Sequence, residues 1–522
     1  MGKVAPTPRI ASAFAVVFGR YGAVTRYAAE RGVCRQSVYR EAAWVVARLE
    51  GPPGPQQVAD LKQQLHEAQQ RLADLEAQLS QAVVLDRDKQ AELASVAQAL
   101  GISLPEVHTL LEVLRPGHSV PVATLGRWTK AASARASALL TVVDEFTRDR
   151  VRQAAADEIY VREPVLMVVE PESLCWVSGR LADAVTGKAW ADQFRQLPAL
   201  EQVTRDGGPA LANGVATVQE ERQAQEQPTL ADQLDHFHTL RDGSQGVRKA
   251  ENRVRSALAE ADKAQAALDR QRRHGKSENG YRHKARDRWV KAEHTLTTWQ
   301  EQDETWQHTK AALQLVTPEG QLNTRPQAEA RLAELLPHLP DSDFAKAKRM
   351  LQAPETLTYL DEVQRKLTAL PLPEEIRHAA VRQECLRRRP ELLQGDTPQA
   401  AALRGVLLVC AVVLAQAGAV GQEALHAVRA IFRNTWRASS LVECINSVLR
   451  MQQARHRKMT QGLLDLKRLY WNSHTFRTGR RRGKTPYELL GVPWPEEVRW
   501  WELLKWSPEQ LRDKLSALKR LE

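Results

Sequence analysis

The chain has 522 residues, 43% of them hydrophobic, and a formal net charge of +11. That length is too great for one ordinary core and asks for several domains, and the positive balance points to a polyanionic partner. Five scattered cysteines (Cys34, Cys175, Cys385, Cys410 and Cys444) without a CxxC spacing exclude a structural zinc site and fit a reducing compartment.

Residues 1–50 come first. Ala11, Phe14, Val17 and Phe18 give one helical stripe. Val24, Tyr27 and Ala28 give a second, ended by Gly32, and Ser37, Val38, Ala42 and Val45 a third. No signal peptide is read in this N-terminus. Helix, short glycine turn, helix is the helix-turn-helix pattern. The third helix opens with Arg35, Gln36, Ser37, Tyr39 and Arg40, donors of the kind a recognition helix carries to base edges and phosphates. Seven Arg against two Glu over 8–49 agree with DNA binding; a plain three-helix bundle is the alternative. Gly51-Pro52-Pro53-Gly54-Pro55 then breaks the helix.

Over 56–86, Val58, Leu61, Leu65, Ala68, Leu72, Leu75, Leu79 and Ala82 alternate steps of three and four. The seam has period 3.5 and predicts a coiled coil, which pairs two chains or folds back on its own. Residues 88–150 continue as helices. Gly101 breaks the first pair, Ser103 and Glu106 form a capping box, and a segment from Pro121 carries Arg127. This region is either a second DNA-reading unit or a set of linking helices.

In 151–240 the period changes to two. Runs at 158–161, 165–169 and 174–180 predict an antiparallel meander. A helix over 187–197, a parallel strand over 201–206 and a short strand over 230–237 follow. That order is the order of a ribonuclease-H-like core. Residues 246–273 and 281–315 then predict a long helical hairpin inside an α-helical insertion, 241–425. Its Trp289, Trp299 and Trp306 either pack the hairpin or stack on bases. The apolar run over 405–420 is too short to span a bilayer comfortably and reads as a buried helix, so no membrane is expected. Residues 426–455 return to the core, and 456–522 form a basic, Trp-rich helical tail. From Arg455 to Lys484, ten Lys/Arg, including Arg457, Lys458, Arg480, Arg481 and Arg482, stand against Asp465 alone, which points to a local binding surface, a solvated basic tail being the alternative. The predicted fold is therefore multi-domain and mainly α: a helix-turn-helix and coiled coil, then an α/β core interrupted by a large helical insertion.

Three distant segments each supply an acid. Asp157 lies in the first strand, Asp206 ends a later strand before Gly207-Gly208, and Glu443 lies early on a late helix. Two-cation phosphoryl-transfer sites need such hard oxygen ligands. Glu158 rivals Asp157, but alternation with Ile159 and Val161 favours Asp157. Asn446 and Arg450 follow Glu443 by one and two turns, and Arg450 suits a phosphate. His236 and His238 flank Phe237, so a strand would turn one inward and one outward; either both are structural, the plainer reading, or His238 lies by the site and touches a scissile phosphate.

Taken with their surroundings, these residues resemble a known family. Thr204-Arg205-Asp206-Gly207-Gly208, Asp235-His236-Phe237-His238, the stretch from Ser439 through Glu443 and Asn446 to Arg450, and Lys484-Thr485-Pro486-Tyr487-Glu488-Leu489-Leu490-Gly491 are similar to those of bacterial insertion-sequence transposases of the DDE class. The resemblance covers about 150–245 and 430–492; the rest matches only in general plan. It implies that Asp157, Asp206 and Glu443 bind two Mg2+ ions, for which Mn2+ substitutes. It also implies cleavage at element ends and attack of a 3′-OH on target DNA. The implied partners are double-stranded DNA, as terminal repeats and target, and a second copy in a homodimer or higher homo-oligomer. The implied location is the bacterial cytoplasm, at the nucleoid. Two other readings stay open: a DNA-binding regulator whose acids are incidental, and a ribonuclease-H-like endonuclease without strand transfer.

Overall fold

A computed structural model describes residues 8–49, 55–81, 85–117, 120–453, 455, 458–495 and 497–521. The chain is mainly helical with one five-stranded mixed sheet, and it divides into two units, Met1–Asp86 and Arg87–Glu522.

The first unit holds α1 (Pro8–Val17), α2 (Ala23–Arg31), α3 (Arg35–Leu49) and α4 (Pro55–Gln81). Gly22 and Gly32 sit at φ 87° and 66°, a left-handed conformation that costs glycine little and lets the chain turn sharply between helices. Arg31 reaches Glu41 at 2.7 Å, and the buried Ser12 donates to the same carboxylate at 2.5 Å. Ala28, Val38 and Ala42 form the small interior. The expected α1 stripe is not that interior: Phe14 and Phe18 are exposed, Phe18 at 69%. Helix α4 likewise leaves Leu61, Leu65, Leu72 and Leu75 exposed. The breaker Gly51-Pro52-Pro53-Gly54 and Ala82 of the seam lie outside the described residues.

The second unit opens with α5 (Arg87–Ala99), α6 (Leu104–Leu114), capped by Ser103 and Glu106, and α7 (Val122–Thr147). Then come β1 (Gln153–Val161), β2 (Glu163–Glu170), β3 (Cys175–Leu181), α8 (Gly187–Phe194), β4 (Gln202–Arg205), α9 (Pro209–Ala224) and β5 (Ala231–Leu234). The strand order is β3-β2-β1-β4-β5, with β1 antiparallel to β2 and parallel to β4, and β4 parallel to β5. The meander begins earlier than periodicity suggested, because Ala154, Ala155 and Ala156 belong to β1. Alanine is a poor strand former on its own, but these three are buried, and a small side chain lets helices approach both faces.

A helical region follows: α10 (His236–Arg273), α11 (Asn279–Ala312), α12 (Arg325–Leu335), α13 (Asp341–Gln352), α14 (Thr358–Thr368), α15 (Glu374–Arg387), α16 (Pro398–Gln416) and α17 (Ala419–Arg433). The chain closes with α18 (Ser440–Gln453), α19 (Gln461–Ser473), α20 (Pro486–Leu489), α21 (Trp500–Leu503) and α22 (Pro508–Lys519). Helices α10 and α11 make the hairpin. At its base Trp306 is buried, tilted against Phe344 at 6.0 Å, while Trp289 farther out is 41% exposed.

Three expectations are corrected here. The strand over 230–237 stops at Leu234, because Asp235 caps α10 and turns His236 and His238 into helical residues. The apolar run over 405–420 is not a buried helix. It breaks at Gly418, Leu408 on α16 is 66% exposed, and only 17% of the apolar window in α16 is buried. By length and composition α16 could cross a membrane. Nor is the basic stretch 455–484 all surface. Lys467 is buried, donating to the Gln98 carbonyl at 2.8 Å and to Gln452 at 2.5 Å, and burial pulls its pKa down to about 7. Arg468 is buried too, held by the Val177 carbonyl at 2.5 Å and Asp144 at 2.6 Å.

The sheet lies between two cores. Ala154, Ala156, Leu166 and Val168 pack with Trp190, Phe194, Leu211 and Val215 of α8 and α9. Ala155, Ile159, Val165 and Met167 pack with Leu139 and Val143 of α7, Ile445 and Leu449 of α18, and Leu464 of α19. The odd-numbered side chains of β1 therefore face α18.

Candidate functional site

Strand register builds the first half of the site. Ala156 pairs with Arg205, and Arg205 with Leu234. One residue beyond that row each segment carries an acid: Asp157 within β1, Asp206 just past the end of β4 and Asp235 just past the end of β5. In parallel neighbours roughly 4.8 Å apart, residues of one row point to one face. Asp157 and Asp235 are met from the α18 side, by Asn446 and by Ser439. Arg205, one row back, points the other way and is tied to Asp232 at 2.7 Å.

Helix α18 supplies the second half. Glu443 lies in its first turn and Asn446 one turn on, on the same face. Asn446 is fully buried and its amide donates to Asp157 Oδ2 at 2.8 Å; the Glu158 backbone N–H donates to Asp157 Oδ1 at 2.9 Å. Asp157 is 7% exposed. Burial first, then the charges of Glu443, Asp206 and Glu158, pushes its carboxyl from 3.8 up to about 7. The three predicted acids thus come within electrostatic reach of one another, with Glu158 as a fourth. Among the described residues no trio of His, Cys, Asp or Glu is drawn tightly enough to hold a metal as it stands. Asp206 Oδ1 accepts the Gly208 N–H at 2.9 Å, and Glu443 is paired with Arg450 at 2.7 Å. Asn446 Oδ1 is buried at this spot without a hydrogen-bond partner; Glu158 Oε2 is likewise unpartnered, on a side chain that strand alternation turns to the other face of β1.

Asp235 has a different task from its row-mates. Its Oδ1 accepts the Phe237 N–H at 2.6 Å; its Oδ2 accepts from His238 Nδ1 at 2.5 Å and from Ser439 Oγ at 2.7 Å. The His236 N–H adds a bond to the Arg437 carbonyl at 2.8 Å. These bonds stitch the start of α10 to the start of α18. Asp235, aided by Asp157, raises the pKa of His238, which places that imidazole beside the acids. His236 differs: buried, it bonds the Thr356 carbonyl at 2.8 Å, and burial lowers its pKa to about 4.

The other predicted binding residues divide. Arg35, Gln36, Tyr39 and Arg40 are exposed on α3 and Ser37 is half-buried there. Arg127 is exposed on α7, bonded to Thr124 at 2.9 Å. Arg450 is exposed, and Lys458 is exposed with Glu163 at 4.0 Å. In the loop after α19, Arg477, Arg480, Arg482 and Lys484 are exposed. The Arg480 guanidinium sits 5.2 Å over the Trp436 ring. Arg481 differs, donating to the Pro171 and Glu172 carbonyls at 2.8 Å, near enough to Cys444 of α18 to sense it electrostatically. Asn446 is corrected from a DNA contact to a buried support for Asp157. Arg457 lies outside the described residues. Roles for Asp235 and Ser439 were not assigned from sequence. The available signal was an Asp before a helix with a His three residues on, which reads equally well as an ordinary cap.

No protein-family model, curated protein or solved structure matches this chain.

Proposed function

We propose that the protein is a DNA transposase of the DDE type, with a ribonuclease-H-like core, that breaks and joins phosphodiester bonds by two-metal chemistry. The observation that carries this reading is the meeting of Asp157, Asp206 and Glu443 from segments far apart in the chain. Burial first, and then the like charges crowded beside it, drive the Asp157 carboxyl to about 7; a bound cation relieves both, and the donors are all hard oxygens. The partnerless oxygen of Asn446, beside Asp157, agrees with a missing ligand there.

Asp157, Asp206 and Glu443 would hold two Mg2+, or Mn2+, which supply Lewis-acid stabilisation to the attacking and leaving oxygens. Asn446 fixes the Asp157 carboxylate, so its lone pairs are aimed before substrate arrives. Arg450 pairs with Glu443 and would be free to hold a phosphate if a cation took its place beside that carboxylate. His238, with Nδ1 committed to Asp235, presents Nε2 to a non-bridging oxygen of the scissile phosphate. Arg477, Arg480, Arg482 and Lys484, on the loop beside α18, hold the flanking backbone. Helices α1–α3 are assigned to terminal-repeat binding. The exposed leucine seam of α4 is assigned to a second copy. In a parallel in-register pair, Arg71 of one helix meets Glu76 of the other across the seam.

The test is Asp206→Asn on the full chain. Strand cleavage of end DNA in Mg2+ should vanish while duplex binding stays unchanged; retained cleavage would overturn the reading. Pre-cut ends with a 3′-OH should be joined to target DNA by the wild type, and cleavage without joining would leave an endonuclease.

A further inference from the structure

Outside the C-terminal basic segment the chain's charges nearly cancel in sum, and that balance hides a second concentration. From Arg270 to Lys291, nine Lys/Arg face only Glu278 and Asp287. This stretch is the tip of the α10–α11 hairpin, turning at Gly275 with φ 62°. The arm is anchored at its other end, where Gly243 and Gly246 lie against Trp306 and Phe344. At 1.5 Å per residue, the tip stands about 40 Å along α10 from Gly246.

Packing does not account for the charge, and local electrostatics accounts for only part of it. The seam of the arm is made of small apolar residues: Ala261, Ala264, Leu268, Ala285 and Ala292 are buried. Glu278 engages Arg272 and Arg282, both at 3.0 Å, and Arg288 reaches Glu260 at 2.5 Å. Arg270, Arg273, Lys276, Lys284, Arg286 and Lys291 are exposed and have no acidic partner among the described residues. The helix dipole explains Arg270 and Arg273 in the last turn of α10. It opposes Arg282, in a first turn of α11 that has no acid, and does nothing for Lys284 and Arg286 in the next turn. Tyr281 and Trp289, exposed between these cations, add flat faces of the kind that accompany nucleic-acid contacts.

We propose that the arm tip is a second, sequence-independent contact for the backbone of duplex DNA, remote from the carboxylate site. The proposal rests on the reading of the protein as one that acts on DNA. It goes further by giving the helical hairpin a role: holding a stretch of duplex about 40 Å from the arm's base. The experiment is fluorescence anisotropy of the full chain with a 60-base-pair duplex of arbitrary sequence over a salt series. The proteins compared are the wild type, the variant Lys276→Gln, Lys284→Gln, Arg286→Gln, Lys291→Gln, and a control with the three lysines changed to Arg. Each lost phosphate contact lowers the log–log salt slope by about 0.9, so the Gln variant, short of four cations, should lose up to about 3.6 units, with circular dichroism unchanged, and the Arg control should keep the slope. An unchanged slope in a folded Gln variant would overturn the proposal. So would a loss seen with duplex RNA of the same length and not with DNA, since the arm would then serve RNA. Asp206→Asn separates the two ideas. If it leaves cleavage intact while the arm variant loses its slope, the catalytic reading fails and the arm contact stands.

Discussion

Replacing Asp157 by Asn takes one charge out of a crowded cluster, and the consequence has a sign. Burial, Glu443, Asp206 and Glu158 raise the Asp157 carboxyl from 3.8 to about 7. An acid with a raised pKa stabilises the fold while protonated. Its contribution is full below the unfolded value and is lost as pH rises through about 7. Between about pH 5.5 and 8.5 the unfolded chain is already ionised there, so linkage puts the loss at about 2 kcal/mol. Spread over the Arg87–Glu522 unit, at about 2.1 cal/mol/K per residue, that is about 2 °C in Tm. The assay is scanning calorimetry in EDTA over that pH range, wild type against Asp157→Asn. The wild type should lose about 2 °C relative to the variant as pH rises, because other titrating groups, Lys467 among them, cancel in the difference. Mn2+ at the high-pH end should restore the wild type and not the variant. Parallel pH profiles for the two proteins would refute the placement of three further acids around Asp157.

Asp235→Asn removes the anion that holds His238 and Ser439 and should cost about 2 kcal/mol of stability. Cleavage should fall about tenfold to a hundredfold, as displaced reacting groups do. Because Asp235 raises the His238 pKa, the surviving activity should also fade at a lower pH than in the wild type, read from a pH–rate profile. The double variant Leu65→Asp, Leu72→Asp places charges on the exposed α4 seam and should convert a dimer to a monomer in light scattering while leaving the Arg87–Glu522 unit folded.

What the sequence disclosed follows from how local each feature is. The helices and the meander carry their own periodicity, so 8–49, the hairpin and the three antiparallel strands could be read directly. Asp157 was preferred to Glu158 from alternation alone, and Asn446 on α18 does bond Asp157. Register was harder. That Asp235 falls in the same row as Asp157 and Asp206 depends on how β4 and β5 pair, which periodicity does not encode. The strand expected over 230–237 ended early because a cap, a property of one side chain, outweighed a short apolar pattern. Lys467 and Arg468 read as surface because composition counts charges without their partners; both bond carbonyls or acids from distant segments. The exposed face of α16 was missed for the converse reason, since apolar composition predicts burial only when a neighbour is present to cover it.

The central claim is that Asp157, Asp206 and Glu443 form one cation site. Anomalous diffraction from crystals soaked in Mn2+ addresses it directly. Two peaks about 3.5–4 Å apart, ligated by those three carboxylates, are the expected result. Mn2+ bound only elsewhere, with the Glu443–Arg450 pair still closed in crystals containing end DNA, would contradict it.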